Sequence, residues 1–239
     1  MDTSRSLSVI IPALNEEQNI AKAVAAATKC LQESRLDYEI LVCNDGSTDR
    51  TGEILDSLAR HDSRVRVFHH AQNKGIGAAS REGIRLASKE YVTWFAGDNS
   101  IAEKTFMNII QATGSADLVV AYMSNNHERS FLRRNLSIFL TKVLNTLFHL
   151  RLKYYNGPSI YKLSLVRSVK VFADRYDYFL ELLIRCLKLG VSYEEIPFAN
   201  KNDNAANSKA IRFNNLKCMV NTILHLMMDV YVKKNPSGK

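Results

Sequence analysis

Two short apolar runs, each ending in a polar cluster, constrain this chain more than any other feature. The first is Val9-Ile10-Ile11-Pro12-Ala13-Leu14-Asn15-Glu16-Glu17, and the second is Ile40-Leu41-Val42-Cys43-Asn44-Asp45-Gly46-Ser47-Thr48-Asp49. Each reads as a buried strand whose tip opens a helix. Two such tips side by side form a nucleotide pocket at the carboxyl edge of a parallel sheet. The alternation continues along the first half. Strands are expected at Ser8–Pro12, Tyr38–Cys43, Val65–His69, Tyr91–Phe95 and Asp117–Ala121. Helices are expected at Glu16–Cys30, Asp49–Arg60, Gly77–Ser88 and Lys104–Thr113, the first with Asn15 as its N-cap. This spacing predicts an α/β fold with a mostly parallel, Rossmann-like sheet and helices on both faces.

Beyond about residue 128 the pattern becomes helical. Leu136, Phe139, Leu140, Val143, Leu144 and Leu147 form one stripe, and Leu216, Met219, Val220, Ile223, Leu224 and Met227 form another. Between them Tyr178–Leu189 reads as a helix closed by Gly190. For any one stripe, packing on the core is the default expectation and membrane contact the alternative. No Pro/Gly-rich linker, repeat or low-complexity segment divides the 239 residues, so one domain, 1–239, is expected.

The net charge of +8 is uneven: Arg129 to Lys153 holds six Lys/Arg and no Asp or Glu. Such a block attracts phosphates or forms a solvated basic face. Leucines and phenylalanines interleave it at helical spacing rather than as stacking aromatics, which argues against nucleic acid. Cys30, Cys43, Cys186 and Cys218 are isolated, with no metal-ligand spacing, which fits a reducing compartment. An early first strand predicts no signal peptide, and the lack of about 18 consecutive apolar residues predicts no transmembrane helix.

Three clusters carry chemistry. Asn44 and Asp45 stand at a strand end, where a carboxylate can accept hydrogen bonds from a base N–H or a ribose hydroxyl; a turn plus helix cap is the simpler alternative. In Asn73-Lys74-Gly75-Ile76-Gly77 the glycines let backbone approach a ligand, and Lys74 offers charge to a phosphate. In Trp94-Phe95-Ala96-Gly97-Asp98-Asn99-Ser100 a single acid at a strand tip can hold Mg²⁺ or Mn²⁺ bridging a diphosphate; a Gly-Asp-Asn turn is the competing view.

In order and spacing, these clusters resemble the family-2 inverting glycosyltransferases of GT-A fold, within them the dolichol- and polyprenyl-phosphate mannose or glucose synthases. Pro12, Asn15 and Glu16 match the family's Pro-x-x-Asn-Glu; Asn44-Asp45-Gly46-Ser47-Thr48-Asp49 matches its Asp-Asp-Gly-Ser-x-Asp; Asn73, Gly75 and Gly77 match its Asn-x-Gly-x-Gly. The resemblance implies that Pro12, Glu16, Asp45 and Lys74 line the nucleoside end, with Asn15, Asn44, Gly75, Gly97 and Lys209 completing the nucleotide-sugar set. Residues 1–125 would form that half and 126–239 the acceptor side. Asp98, with Asn99, would hold the metal. The chain departs from the family at Ala96, where the first metal acid is expected, and at Ser100, where Gln is usual. In the loop after Pro197, Asp203 and Ala206 replace Arg and Gly, leaving Lys201, Lys209 or Arg212 near Ser208 to serve the donor phosphates. Arg133, Arg134, Ser137 and Asn145 resemble the segment that meets a lipid phosphate. Asn156–Tyr161 resembles the turn before the acceptor-side helix, and Glu194–Pro197 the last strand.

The implied reaction moves one sugar from a nucleoside diphosphate sugar to a polyprenyl phosphate with inversion, at the cytoplasmic face of a membrane. Peripheral adsorption, a membrane-protein partner or a homo-oligomer would bring the chain there. Asp98, Glu181 and Asp177 are the candidate catalytic residues, the last two as general base if the acceptor is instead a glycan or small-molecule hydroxyl. A non-catalytic sugar-nucleotide-binding protein is a further alternative. A nucleotidyltransferase is disfavoured, because Pro12–Glu17 lacks a Gly-rich basic loop.

Overall fold

The computed structural model describes residues 5–125, 131–199 and 213–239, with backbone alone at 132, 133 and 213–217. The elements run β1 (Ser6–Ala13), α1 (Ile20–Ser34), β2 (Asp37–Asn44), α2 (Thr51–His61), β3 (Val65–His69), α3 (Ile76–Leu86), β4 (Tyr91–Trp94), α4 (Glu103–Gln111) and β5 (Leu118–Met123). They continue with α5 (Phe131–Phe148), β6 (Ser159–Lys162), α6 (Leu163–Ser168), α7 (Asp177–Lys188), β7 (Tyr193–Phe198) and α8 (Phe213–Met227), which passes into a π-helical turn, Met228–Val232.

The seven strands lie in the order β3-β2-β1-β4-β6-β5-β7. β1 pairs in parallel with β2 and β4, β2 with β3, and β5 with β7. β6 is antiparallel to both β4 and β5. The mostly parallel sheet is as expected, but residues 156–161 are not simply a turn. Gly157 lets the chain pass β5 so closely that a Cβ there would fall 1.7 Å from the Ala121 carbonyl oxygen, and β6 then forms at once. Four residues are too few to show a strand period.

The middles of the central strands, Val9–Ile11 and Ile40–Val42, are apolar on consecutive residues because both faces are covered. Val9, Ile11, Ile40 and Val42 face a core built with α1, α2 and α4. Ile10, Leu41, Val92 and Trp94 face a second core built with α3, α6, α7 and the inner sides of α5 and α8. Gly190, with φ +75°, follows the end of α7 as expected. Asn15 is not the cap of α1: the helix starts after Asn19, and Asn15 itself is left-handed at φ +54°.

Both amphipathic stripes are split. In α5, Leu144 and Phe148 are fully buried, whereas Leu136 and Phe139 are 48% and 65% exposed. In α8, Leu226 is buried, and Met219, Ile223 and Met227 pack on the second core. Val220, Leu224 and Met228 face outward. Among the described residues no helix is long and apolar enough to cross a membrane. Cys30, Cys43 and Cys186 are buried free thiols, and Cys218 is half-buried and free.

Candidate functional site

Register alone brings the three tips together. Pro12 pairs beside Cys43 and Ile10 beside Trp94. Asp45 N–H donates to the Ala13 carbonyl at 2.8 Å and Phe95 N–H to that of Ile10 at 3.0 Å. At Gly97 a Cβ would come within 2.7 Å of the Pro12 carbonyl oxygen, so only glycine lets the β4 tip lie against β1. Asp98 then emerges exposed beside half-buried Pro12.

The loops after β1 and β2 are stitched side chain to backbone. Asn15 N–H donates to Ser47 Oγ at 3.0 Å, and Thr48 N–H donates to Asn15 Oδ1 at 2.9 Å. Glu16 N–H reaches Thr51 Oγ1 at 2.8 Å, Glu17 N–H reaches Asp49 Oδ2 at 3.2 Å, and Arg50 N–H returns to Glu17 Oε2 at 3.1 Å. Loop amides outside sheet and helix need such partners. Asn15 therefore works as a clamp between tips, and Glu16 Oε2 is taken by Asn19 Nδ2 at 3.1 Å. Asn44 caps its own turn, accepting from Ser47 N–H at 3.1 Å, with its Nδ2 3.0 Å from His69 Nδ1.

Asp45 is buried and nearly saturated. Its Oδ1 lies 2.7 Å from His70 Nδ1 and accepts Lys74 N–H at 2.9 Å, while Oδ2 accepts Gly75 N–H at 2.8 Å. A carboxylate has about four acceptor positions, so these contacts take about three of them. His70 was invisible in the sequence: a His pair at a strand end carries no motif, and only the β2–β3 register sets it beside Asp45. Burial pushes the neighbouring Cys43 thiol up, so it stays protonated.

The glycines of the 73–77 loop make room for protein backbone. At Gly75 (φ +94°) a Cβ would lie 2.6 Å from the Asp174 carbonyl oxygen, and at Gly77 2.7 Å from the Asp174 carbonyl carbon. Gly77 N–H donates to that same carbonyl at 2.9 Å. The glycines admit residues 173–174, which lie across the loop. Lys74 keeps an exposed side chain above it.

Glu181 does not stand free as a base. It is 1% exposed. Its Oε2 accepts Phe172 N–H at 3.1 Å and Ala173 N–H at 2.8 Å, and Oε1 takes Arg185 Nε at 2.7 Å. Arg185, fully buried, also donates to Asp229 Oδ2 at 2.7 Å and to the Pro236 carbonyl at 3.2 Å. Glu181 and Arg185 stand four apart on α7, a spacing that announces a helical ion pair. Asp229, far along the chain, announces nothing. Asp177, at the start of α7, accepts from Thr222 Oγ1 at 2.7 Å through Oδ2, while Oδ1 is buried with no hydrogen bond among the described residues.

Asp98 Oδ1 accepts Ser100 N–H at 3.0 Å. Half-buried Ala96 precedes it and Asn99 follows in a left-handed turn at φ +55°. No cluster of three or more His, Cys, Asp or Glu forms a metal cage among the described residues. Mg²⁺ is commonly held by one or two carboxylates with substrate phosphates and water. A single exposed carboxylate at this tip fits that sparse arrangement and not a protein-only site.

Of the residues expected to meet an acceptor, Arg134 and Ser137 are half-buried on α5, Arg134 with its guanidinium 5.7 Å from the Phe131 ring centroid. Asn145 is a clamp: its Oδ1 accepts Leu152 N–H at 3.1 Å and Tyr155 O–H at 2.8 Å. The Arg133 side chain and Lys201, Asp203, Ala206, Ser208, Lys209 and Arg212 lie outside the described residues.

The chain belongs to glycosyl transferase family 2, whose family model matches residues 8–172. It is 32% identical over 127 residues to the glycosyltransferase GlyG of Streptococcus pneumoniae, across 52% of this chain and 41% of that protein. It is 26% identical over 211 residues to a dolichyl-phosphate beta-glucosyltransferase of Dictyostelium discoideum, across 80% and 64% respectively. The chain thus spans about two fifths of the length of the bacterial relative. Among solved structures it resembles glucosyl-3-phosphoglycerate synthase of Mycobacterium tuberculosis in complex with Mn²⁺, UDP and phosphoglyceric acid. The TM-score is 0.64 at 20% identity, over 94% of this chain and 78% of that one. That likeness carries the GT-A fold.

Proposed function

We propose that the chain is an inverting glycosyltransferase that moves one sugar from a nucleoside diphosphate sugar to a polyprenyl phosphate. The observation that carries the donor half is the Asp45 carboxylate at the β2 tip, fixed by the Lys74 and Gly75 amides beside the β1 tip, with the β4 tip on the other side of β1. Its remaining acceptor position suits a base N–H or a ribose hydroxyl. Lys74 sets a cation above the loop, where a diphosphate attached to that nucleoside reaches. Asp98 would hold Mg²⁺ or Mn²⁺, which when bound neutralises charge building on the leaving diphosphate. At the anomeric carbon the transition state resembles an oxocarbenium ion, and the cations of the site favour departure of the anionic leaving group.

A phosphate acceptor is already ionised at neutral pH and requires no general base, which accords with the engagement of Glu181 in a buried ion network. The first half of α5 supports the lipid: Phe131, Ile138 and Phe139 are exposed at i, i+7 and i+8, with Arg134 beside them. The dolichyl-phosphate relative supports the same acceptor class. Placement at the cytoplasmic face of a membrane, alone or through a partner, belongs to this proposal. The second reading, transfer to a hydroxyl, rests on Asp177, whose buried Oδ1 has no hydrogen bond among the described residues, the position a general base needs to receive a proton.

The test is a thermal-shift panel of nucleoside diphosphates and their sugars, with and without Mn²⁺. At a hundredfold excess over Kd the true donor stabilises the chain by about 2.7 kcal/mol. If no member of the panel moves the melting point, the donor reading fails. Transfer from the best stabiliser to polyprenyl phosphate in vesicles then decides the acceptor. Retained transfer in Asp177→Asn fits the phosphate, and its loss with donor binding intact favours the hydroxyl. Loss of turnover in Asp98→Ala separates an enzyme from a binding protein.

A further inference from the structure

The loop that holds Asp45 is itself held from above, and the chain of contacts runs to the far end of the protein. Lys74 N–H and Gly75 N–H donate down to Asp45, and Gly77 N–H donates up to the Asp174 carbonyl. With Gly75 and Gly77 both pressed against Asp174, the loop has no room to ride higher or lower. Its position is therefore set by residues 172–174, which are neither helix nor strand. Their geometry comes from side chains. Arg81 Nη1 donates to the Ala173 carbonyl at 2.8 Å and Arg81 pairs with the Asp174 carboxylate. Glu181 takes the Phe172 and Ala173 amides from below.

Glu181 is aimed by Arg185, and Arg185 by Asp229 and the Pro236 carbonyl. Lys170 N–H donates to the Ser237 carbonyl at 2.7 Å, so the terminal residues flank the same segment. A buried ionic network is a poor route to stability compared with apolar packing of the same volume. What it supplies is a fixed direction for each oxygen and nitrogen. We propose that Glu181 and Arg185 are positioning residues for the donor loop, acting through residues 172–174, with Asp229 and the C-terminal segment as their abutment. The proposal rests on the reading of Asp45 and Lys74 as donor-side groups.

Two measurements on the full chain test it. The first is amide hydrogen exchange in the free protein. Arg81→Ala cuts the contact to Asp174 at a half-exposed position without opening the core, and Glu181→Gln keeps the shape of the buried partner. In both, exchange at Lys74 and Gly75 should quicken about tenfold while the central strands stay protected. The second is binding of UDP and GDP with Mn²⁺, and hydrolysis of the matching sugar nucleotides. A loop competent about a tenth of the time weakens apparent nucleotide affinity about tenfold. KM for donor should rise with kcat held, and Arg81→Lys should restore part of the affinity. Wild-type exchange rates at 73–77 in folded Arg81→Ala and Glu181→Gln, or unchanged nucleotide Kd in both, overturn the proposal. A wild-type chain that binds neither nucleotide brings down the donor reading and the positioning role with it. The two failures are told apart by which chain fails to bind.

Discussion

The loops at the β1 and β2 tips and the outer faces of α5 and α8 are built by opposite rules. At the tips, peptide N–H groups from Asn15, Glu16, Glu17, Thr48, Arg50, Lys74 and Gly75 all end on side-chain oxygens. On the helices, Phe131, Phe139, Val220 and Leu224 are large apolar side chains left exposed. A site for a small, polar, flexible donor gains from loops that are already set, because little ordering cost is left to binding. A surface for a fluid, apolar partner needs no fixed geometry, only apolar area and charge of the right sign. One helix contains both regimes: the first half of α5 faces outward, while Leu144 and Phe148 in its second half are fully buried.

The comparison breaks most sharply in the buried network. Arg185→Met leaves Glu181 buried without its cation and Asp229 with only Lys233 and His225, and about 3–5 kcal/mol of stability should go, read as a lower urea midpoint. A loss under about 1 kcal/mol would mean that these carboxylates reach water in the folded chain. Within α5, Leu144→Ala should cost about 2–5 kcal/mol and Leu136→Ala within about 0.5 kcal/mol. Equal costs at the two positions would deny that the stripe is split.

The same network sets a pH dependence. Burial pushes the Asp229 carboxyl up, but hydrogen bonds from Arg185 and Lys233, helped by His225, more than offset it and hold the group below the usual carboxylate range. With the folded value depressed, the contribution is complete above the unfolded value of about 4 and is lost as pH falls through the folded one. Unfolding titrations from neutral to acid should show that slope in the wild-type chain. Asp229→Asn should be less stable at pH 7 and flatter below pH 5. An unchanged slope would assign the acid sensitivity elsewhere, Glu39 with its Ser8, Ser88 and Arg66 contacts being the next carboxylate to replace.

What could be read from residues alone follows from how local each signal is. Val65–His69 emerges with its expected bounds, and the other parallel strands shift by a residue or two; in the central ones burial on both faces leaves a plain apolar run at the strand middle. Pro12, Asp45 and Asp98 converge because the alternation of strand and helix fixes which tips are neighbours. The roles at those tips were less legible. A Gly-x-Gly before a helix looks the same whether a phosphate or the backbone of Asp174 lies against it. A glutamate on a helix looks the same whether it meets a substrate or Arg185. The first distinction depends on segments about a hundred residues apart, which no local pattern records; the second leaves only the i, i+4 spacing of Glu181 and Arg185, while the Asp229 that completes the network lies on another element. The four-residue β6 was missed for a different reason: it is shorter than the period that would reveal it.

The smallest effect on folding should accompany the largest on location. Phe139 is 65% exposed on the same half of α5 as Arg134, so Phe139→Ser should leave stability within about 0.5 kcal/mol of wild type. If the outer face of α5 adsorbs to a bilayer, that change removes apolar contact at the headgroup boundary, and Arg134→Glu removes attraction to anionic lipid, worth about 1 kcal/mol per basic residue. Pelleting with vesicles of anionic and of neutral lipid at low and high salt separates the two contributions. Arg134→Glu should lose binding mainly on anionic vesicles at low salt, and Phe139→Ser should lose it at every salt concentration. Wild-type pelleting by both variants would take α5 out of the contact and move the search to the outer face of α8, where Val220, Leu224 and Met228 form the other exposed row. No pelleting of the wild-type chain at low salt would remove the lipid acceptor and leave the hydroxyl reading, with Asp177 as the residue to replace next.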